Sequence, residues 1–303
     1  MINDITEEGN MESKPKLGYL GLGLMGSQMT RRLIQNGYQV TGFDPDSNKM
    51  KEAVANGVIA AASPAEVART SDIVQACVIN TTALTEAIFG PDGIVEGGGA
   101  DKILLDHSTT IADKTRELAA RLKEKTGMRW VDAPVSGGPP AAGTGKLAIM
   151  VGGNDYDVSQ IQPVLDALGH NTYMGPLGSG QVTKMVNQVL VLNTFTLLAE
   201  AMTLAKNAGI DPVKVPEALK GGYADSPMFQ RFFPGMVDRD FQPAGYARQA
   251  LKDLDMVVDL AKQTNTPTPM SSQSTALYRV LIAKGHSELD ATAILKIYDD
   301  QAL

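Results

Sequence analysis

The stretch that most limits what this chain can fold into is LGYLGLGLMGSQMTRRLIQNGYQVTGFD, residues 17–44. A short apolar run, Leu17 to Leu20, passes through Gly21-Leu22-Gly23-Leu24-Met25-Gly26 into a segment with Met29, Leu33 and Ile34 on one helical face. A second run, Gln39 to Phe43, then ends in Asp44. Each glycine answers a steric demand: Gly21 a tight turn, Gly23 the approach of backbone to a pyrophosphate, Gly26 close packing of helix on strand. The helix start adds free N–H groups and the positive end of its dipole. Three glycines alone prove little. Flanked by strand, helix and second strand, with a carboxylate about 20 residues further on, they favour a dinucleotide site over a ligand-free turn. The expected cofactor-binding residues here are Gly21, Leu22, Gly23, Leu24, Met25, Gly26 and Asp44. A carboxylate at the end of the second strand suits the ribose hydroxyls of NAD and repels a 2′-phosphate. No Arg occurs among Pro45, Asp46, Ser47 and Asn48, so NAD is expected over NADP.

Short apolar runs continue to alternate with helical ones. Val58-Ile59, Ile73 to Ile79, Ile103 to Leu105, Arg129 to Asp132 and Leu147 to Val151 read as strands. Between them, segments around Asn48–Asn56, Pro64–Ala68 and Ala112–Lys125 read as helices. Strands apolar on both faces that alternate with helices imply a doubly wound parallel sheet of Rossmann type. Ligand lies beyond the carboxyl ends of such strands. That places Val78, Ile79, Asn80, Ser108 and Thr109 beside the nicotinamide end of the cofactor. Ser136-Gly137-Gly138, in DAPVSGGPPAAGTGKLAIMVGG, can offer a hydroxyl and consecutive backbone N–H groups to a carboxylate, or simply join two strands.

From Gly178 to about Gly209 runs one long helix, with Val182, Met185, Val186, Val189, Leu190, Leu192, Phe195, Leu197, Leu198, Met202 and Leu204 all round its wheel. Such a pattern predicts burial on most sides. Lys184 lies in its first turns, with Asn187 and Gln188 on the same face. A buried ammonium is disfavoured, so this lysine is a candidate proton donor and acceptor; the plainer alternative is a lysine that snorkels to water. Beyond it the pattern is helical: Pro212–Leu219, Pro227–Val237, Tyr246–Gln263, Ser271–Ala283 and Leu289–Asp299, with no strand pattern after Leu177. The expected organisation is a tail over residues 1–15, a dinucleotide-binding domain over 16–177 and an all-α domain over 178–303 that begins with the linking helix.

Composition excludes several function classes. A formal net charge of -7 without a basic run argues against nucleic acid. One cysteine, Cys77, allows no intrachain disulfide, and His107, His170 and His286 lack ligand spacing, so no metal is expected. Cys77 and His107 read as core residues. The polar N-terminus carries no apolar leader, and the most apolar helix contains Lys184, Asn187, Gln188, Asn193 and Glu200, so a cytoplasmic protein without membrane contact is expected. The apolar helical half suggests a homodimer or homotetramer.

Four blocks, GLGLMG at 21–26, DAPVSGGPPAAGTGKL at 132–147, GSGQVTKMVNQ at 178–188 and KDLDM at 252–256, resemble those of the beta-hydroxyacid dehydrogenase family, which includes 3-hydroxyisobutyrate dehydrogenases and tartronate semialdehyde reductases. The resemblance runs from Lys16 to the end of the chain. It implies that Lys184 is the catalytic acid and base and that Asn187 helps hold the substrate. It also implies that Ser136, Gly137 and Gly138 cradle the substrate carboxylate, that Thr109 and Lys252 line the cofactor, and that Asp253 holds the lysines and Asn187 in place. Three departures stand out: Gln188 replaces a second asparagine, Ile79 replaces a common proline, and DFQPAGYARQAL lacks the usual spacing of its aromatic residue. The implied activity is hydride transfer between NAD and a small beta-hydroxy acid or its semialdehyde. The substrates in view are 3-hydroxyisobutyrate, glycerate, threonate or a gamma-hydroxy acid. Two rival readings are an imine reductase, whose members commonly lack this lysine, and a catalytically silent dinucleotide-binding scaffold.

Overall fold

The computed structural model describes residues 14–298, so residues 1–13 of the expected tail and the end of the expected last helix lie outside the described residues. The N-terminal half alternates as the apolar runs require: β1 (Leu17–Leu20), α1 (Leu24–Gln35), β2 (Val40–Phe43), α2 (Ser47–Ala55), β3 (Ile59–Ala60), α3 (Pro64–Thr70), β4 (Ile73–Ala76), α4 (Thr81–Phe89), β5 (Ile103–Asp106), α5 (Ala112–Thr126) and β6 (Arg129–Asp132). It continues through β7 (Val135–Ser136), α6 (Gly138–Thr144), β8 (Leu147–Gly152), α7 (Asp155–Leu168) and β9 (Gly169–Gly175). The helical half comprises α8 (Ser179–Asn207), α9 (Val215–Leu219), α10 (Pro227–Val237), α11 (Ala247–Gln263) and α12 (Pro269–Ala283). Side-chain oxygens start several helices where the sequence supplies them, as Ser63 does for α3, Asn80 for α4 and Ser226 for α10.

Strand order in the sheet is β3-β2-β1-β4-β5-β6-β8-β7, with β9 beside β8. The strands from β3 to β6 are parallel, and the order reverses between β1 and β4. That reversal opens a crevice at the carboxyl ends of β1 and β4, the place where such sheets bind ligands. Strands β1, β4 and β5 are buried along their whole length between two apolar layers. A third core, built around Phe195, Phe233, Leu254 and Tyr278, belongs to the helical half.

Several sequence expectations need correction. The sheet is mixed, because β8 runs antiparallel to both β6 and β7. The glycine-rich stretch after Ser136 is a short helix, α6, in place of an open loop, and β9 was not foreseen because its side chains are mostly exposed. Pro212–Leu219 divides into a 3₁₀ turn, Pro212–Lys214, and α9. The closing segment is a 3₁₀ helix, Ala291–Ile297. Nor is α8 buried all round: Val186, Leu190, Leu197 and Leu204 are 59%, 67%, 49% and 71% exposed and form one stripe. By length and composition α8 could cross a membrane. Its other faces pack on β6, β8, β9, α10, α11 and α12, with Gln181, Lys184 and Gln188 buried among polar partners.

Candidate active site

Two adjoining cavities follow the switch point. The larger, about 960 Å³, is lined by every residue from Gly21 to Gly26, by Asp44 and Lys49, and by Val78 and Ile79. Its shape follows from the glycines. A Cβ on Gly26 would sit 1.9 Å from the Gly21 carbonyl oxygen, and one on Gly21 would sit 2.4 Å from that of Cys77. One on Gly23 would meet nothing within 4 Å and would project into open space. Gly23 also begins α1 without any side-chain cap, which leaves the first N–H groups of that helix open to a ligand. The Asp44 carboxylate, 7% exposed, accepts hydrogen bonds from Leu22 N at 2.8 Å and Asp46 N at 2.9 Å, which locks the end of β2 to the glycine turn. This cleft fits a dinucleotide.

The second cavity, about 530 Å³, lies between the sheet and the helical half. Ser136, Gly137, Gly138, Thr109, Lys184, Asn187, Lys252 and Asp253 all line it, whereas Met25, Cys77, Val78 and Ile79 border both cavities. Asn80 lines neither; its side chain accepts from Ala83 N at 2.8 Å and caps α4. Cys77, read from the sequence as core, is only partly buried because it stands where the cavities meet, and desolvation, aided by the nearby Asp106 carboxylate, pushes its thiol up to about 12. His107 is in the core. Its Nδ1 lies 2.9 Å from Ala133 O and its Nε2 lies 3.2 Å from the Gln75 carboxamide. Desolvation brings it down to about 4, so it is neutral near pH 7, and it borders the second cavity as well as being buried.

Lys184 is 7% exposed and donates to Val135 O at 2.7 Å. Burial lowers its pKa to about 8; the neighbouring Asp253 carboxylate opposes the shift and the Lys252 ammonium adds to it. Around it runs a polar chain: Asn187 Nδ2 donates to Gln188 Oε1 at 2.8 Å, and Gln188 Nε2 donates to Asp253 Oδ2. Thus Gln188 stands where the family pattern has a second asparagine and links Asn187 to the carboxylate. The Lys252 ammonium lies 3.1 Å from Asp253 Oδ1, an ion-pair contact whose angles fall short of a hydrogen bond. It also donates to Ile79 O at 3.1 Å and Thr109 O at 3.0 Å, pinning the loops that follow β4 and β5.

Four further residues belong to this machinery that local sequence patterns did not single out. Asp132, at the end of β6, accepts from Gly178 N at 2.7 Å and Gln181 N at 2.8 Å, so it caps α8 across the fold. The Gln181 carboxamide accepts from Thr110 N at 2.9 Å and donates to Ser108 O at 2.8 Å, fixing the same turn to the loop after β5. Gly180 is required because a Cβ there would lie 2.3 Å from Met150 O. Together these contacts set where Lys184 points. Arg231, on α10, is the fourth, and its Nη1 reaches Gly137 O at 3.3 Å.

Comparison with known proteins agrees with this geometry. Residues 16–215 match the model of the NAD binding domain of 6-phosphogluconate dehydrogenase, and residues 178–298 match the NAD-binding domain of NADP-dependent 3-hydroxyisobutyrate dehydrogenase. The 2-hydroxy-3-oxopropionate reductase of Escherichia coli is 33% identical, over 93% of this chain and 96% of that protein. The chain belongs to the beta-hydroxyacid dehydrogenase family. The mitochondrial 3-hydroxyisobutyrate dehydrogenase of rat is likewise 33% identical, over 95% of this chain and 88% of that protein. A crystal structure of a Salmonella typhimurium 3-hydroxyisobutyrate dehydrogenase superposes with a TM-score of 0.86 at 29% identity, over 94% of this chain and all of that one. An imine reductase from Pseudomonas shares the fold with a TM-score of 0.59 at 20% identity. Membership makes the chain an NAD(P)-dependent oxidoreductase of the hydroxy-acid class.

Proposed function

We propose that this family member transfers hydride between NAD and a small 3-hydroxy acid, with Lys184 as the group that takes the hydroxyl proton in oxidation and returns it in reduction. The observation that carries this reading is a buried amine with a pKa near 8 on the wall of a cavity that adjoins the dinucleotide cleft. When bound, the nicotinamide supplies the hydride acceptor; the rest is the work of this chain. Ser136, Gly137 and Gly138 cradle the carboxylate, Asn187 orients the reacting hydroxyl, and Lys252 holds the loops after β4 and β5 through Ile79 and Thr109. The far wall, made of Val191, Leu192, Phe195, Met228 and Phe232, favours a hydrocarbon branch over a further hydroxyl, so 3-hydroxyisobutyrate is preferred to glycerate. Replacing Lys184 by Ala is expected to reduce turnover by about a hundredfold or more while NADH binding stays the same. Undiminished turnover in that variant would overturn the assignment.

The preference for NAD rests on Asp44, whose buried carboxylate faces the cleft. Lys49 also lines the cleft, with its ammonium 3.7 Å from Asp44 Oδ1, and this pairing keeps its charge engaged. Initial rates with each cofactor should favour NAD in the wild type, and Asp44→Arg should reverse the ratio. The exposed stripe of Val186, Leu190, Leu197 and Leu204 is proposed to be covered by a second copy of the chain, which makes the working protein a homo-oligomer.

A further inference from the structure

We propose that Arg231 completes the carboxylate site, so that the substrate's acid group is held between a guanidinium of the helical half and the Ser136-Gly137-Gly138 turn of the sheet half. This inference rests on the function proposed above and adds a residue of α10 to it. Arg231 lines the second cavity. Its Nη1 donates to Gly137 O at 3.3 Å, and its Nη2 lies 3.9 Å from where a Cβ on Gly138 would be. The guanidinium also lies 4.9 Å from the centre of the Phe232 ring, which itself meets Phe195 edge-on at 4.9 Å. That stack orders the side chain while leaving most of its five N–H groups unused.

The charges of the cavity single it out. Asp290 spends both carboxylate oxygens on Ala244 N, Gly245 N, Thr292 N and Thr292 Oγ1. Asp253 is taken by Gln188 and Lys252. Among the described residues, the two cavity cations with no carboxylate partner are thus Lys184 and Arg231. Lys184 bonds a carbonyl at the inner end and is committed to the proton. Arg231 stands at the glycine turn with a planar, permanently charged fork, the geometry that matches a carboxylate in two-point contact. An acid bound there joins the two halves across the cavity, so recognition of the carboxylate and closure around the substrate become one event.

The test uses the full-length protein loaded with NADH, on which a hydroxy acid binds without turning over, and the probes 3-hydroxypropionate and its methyl ester. In calorimetric titration the wild type should bind the acid at least about tenfold more tightly than the ester. Arg231→Met should weaken the acid about tenfold to a hundredfold, bring the two probes to similar affinity, and leave NADH fluorescence titration unchanged. Arg231→Lys should recover part of the preference. In turnover, the Met variant should raise KM with little change in kcat. Equal binding of the acid by wild type and Arg231→Met, an unaltered acid-to-ester ratio, or no acid binding by either would overturn the role of Arg231. Arginine-dependent binding without any NADH formation from NAD would instead remove the proposed hydride transfer between NAD and 3-hydroxy acids and leave the carboxylate site standing.

Discussion

Lys184 concentrates the physical conflict of the molecule in one side chain. An ammonium is kept nearly dry, with one carbonyl as its hydrogen-bond partner, and so gives up its proton near pH 8. Oxidation needs the free amine, so kcat/KM for the hydroxy acid should rise with pH and level off above about 8. Reduction needs the ammonium and should fall over the same interval. Parallel pH profiles in the two directions would contradict this role. Linkage sets the cost. The folded pKa is lower than the unfolded one, so the unfolded chain binds the proton more tightly, and stability increases as pH rises from about 8 toward 10.5. Desolvating the amine thus lowers stability at pH values below about 10.5, a cost commonly met where an active group must be kept dry.

At the scale of the element, α8 matters most, and its first turn is held by a residue 46 positions earlier in the chain. Asp132→Asn keeps one acceptor and loses the charge and the second acceptor. It should cost about 1–2 kcal/mol in denaturant unfolding and lower kcat severalfold, since Lys184 follows the turn that Asp132 fixes. A variant that loses stability but keeps full kcat would show that the cap does not position the amine. The helix itself was legible from its length and apolar content, as were β1, α1, β2 and the glycine turn, because their signals are local and periodic. The roles of Asp132 and Gln181 were not, because each acts on backbone groups from another part of the fold. Burial around α8 was overestimated because a helical wheel registers apolarity and not which faces find partners. Likewise β7 and β9 lacked a pattern: the first has two residues and the second exposes most of its side chains.

For the whole molecule, the sheet half supplies the cofactor cleft and the carboxylate turn, and the helical half supplies the amine, its polar chain and the apolar wall. The exposed stripe on α8 runs along the same helix on a face turned away from that wall. Replacing Leu190 and Leu197 together by Lys should shift the protein to a smaller species in sedimentation, with Lys184 and the cavity lining untouched. An unchanged sedimentation coefficient would place any subunit contact elsewhere. The single uninterrupted run of α8 also governs how relatives could be recombined. The amine near its start and the packing residues farther along share one rigid rod, so a chimera joined inside residues 179–207 would inherit its proton chemistry from one parent and its seating from the other. A splice just before the rod would pass both on together, provided the donor of the front portion still carries an aspartate where Asp132 stands.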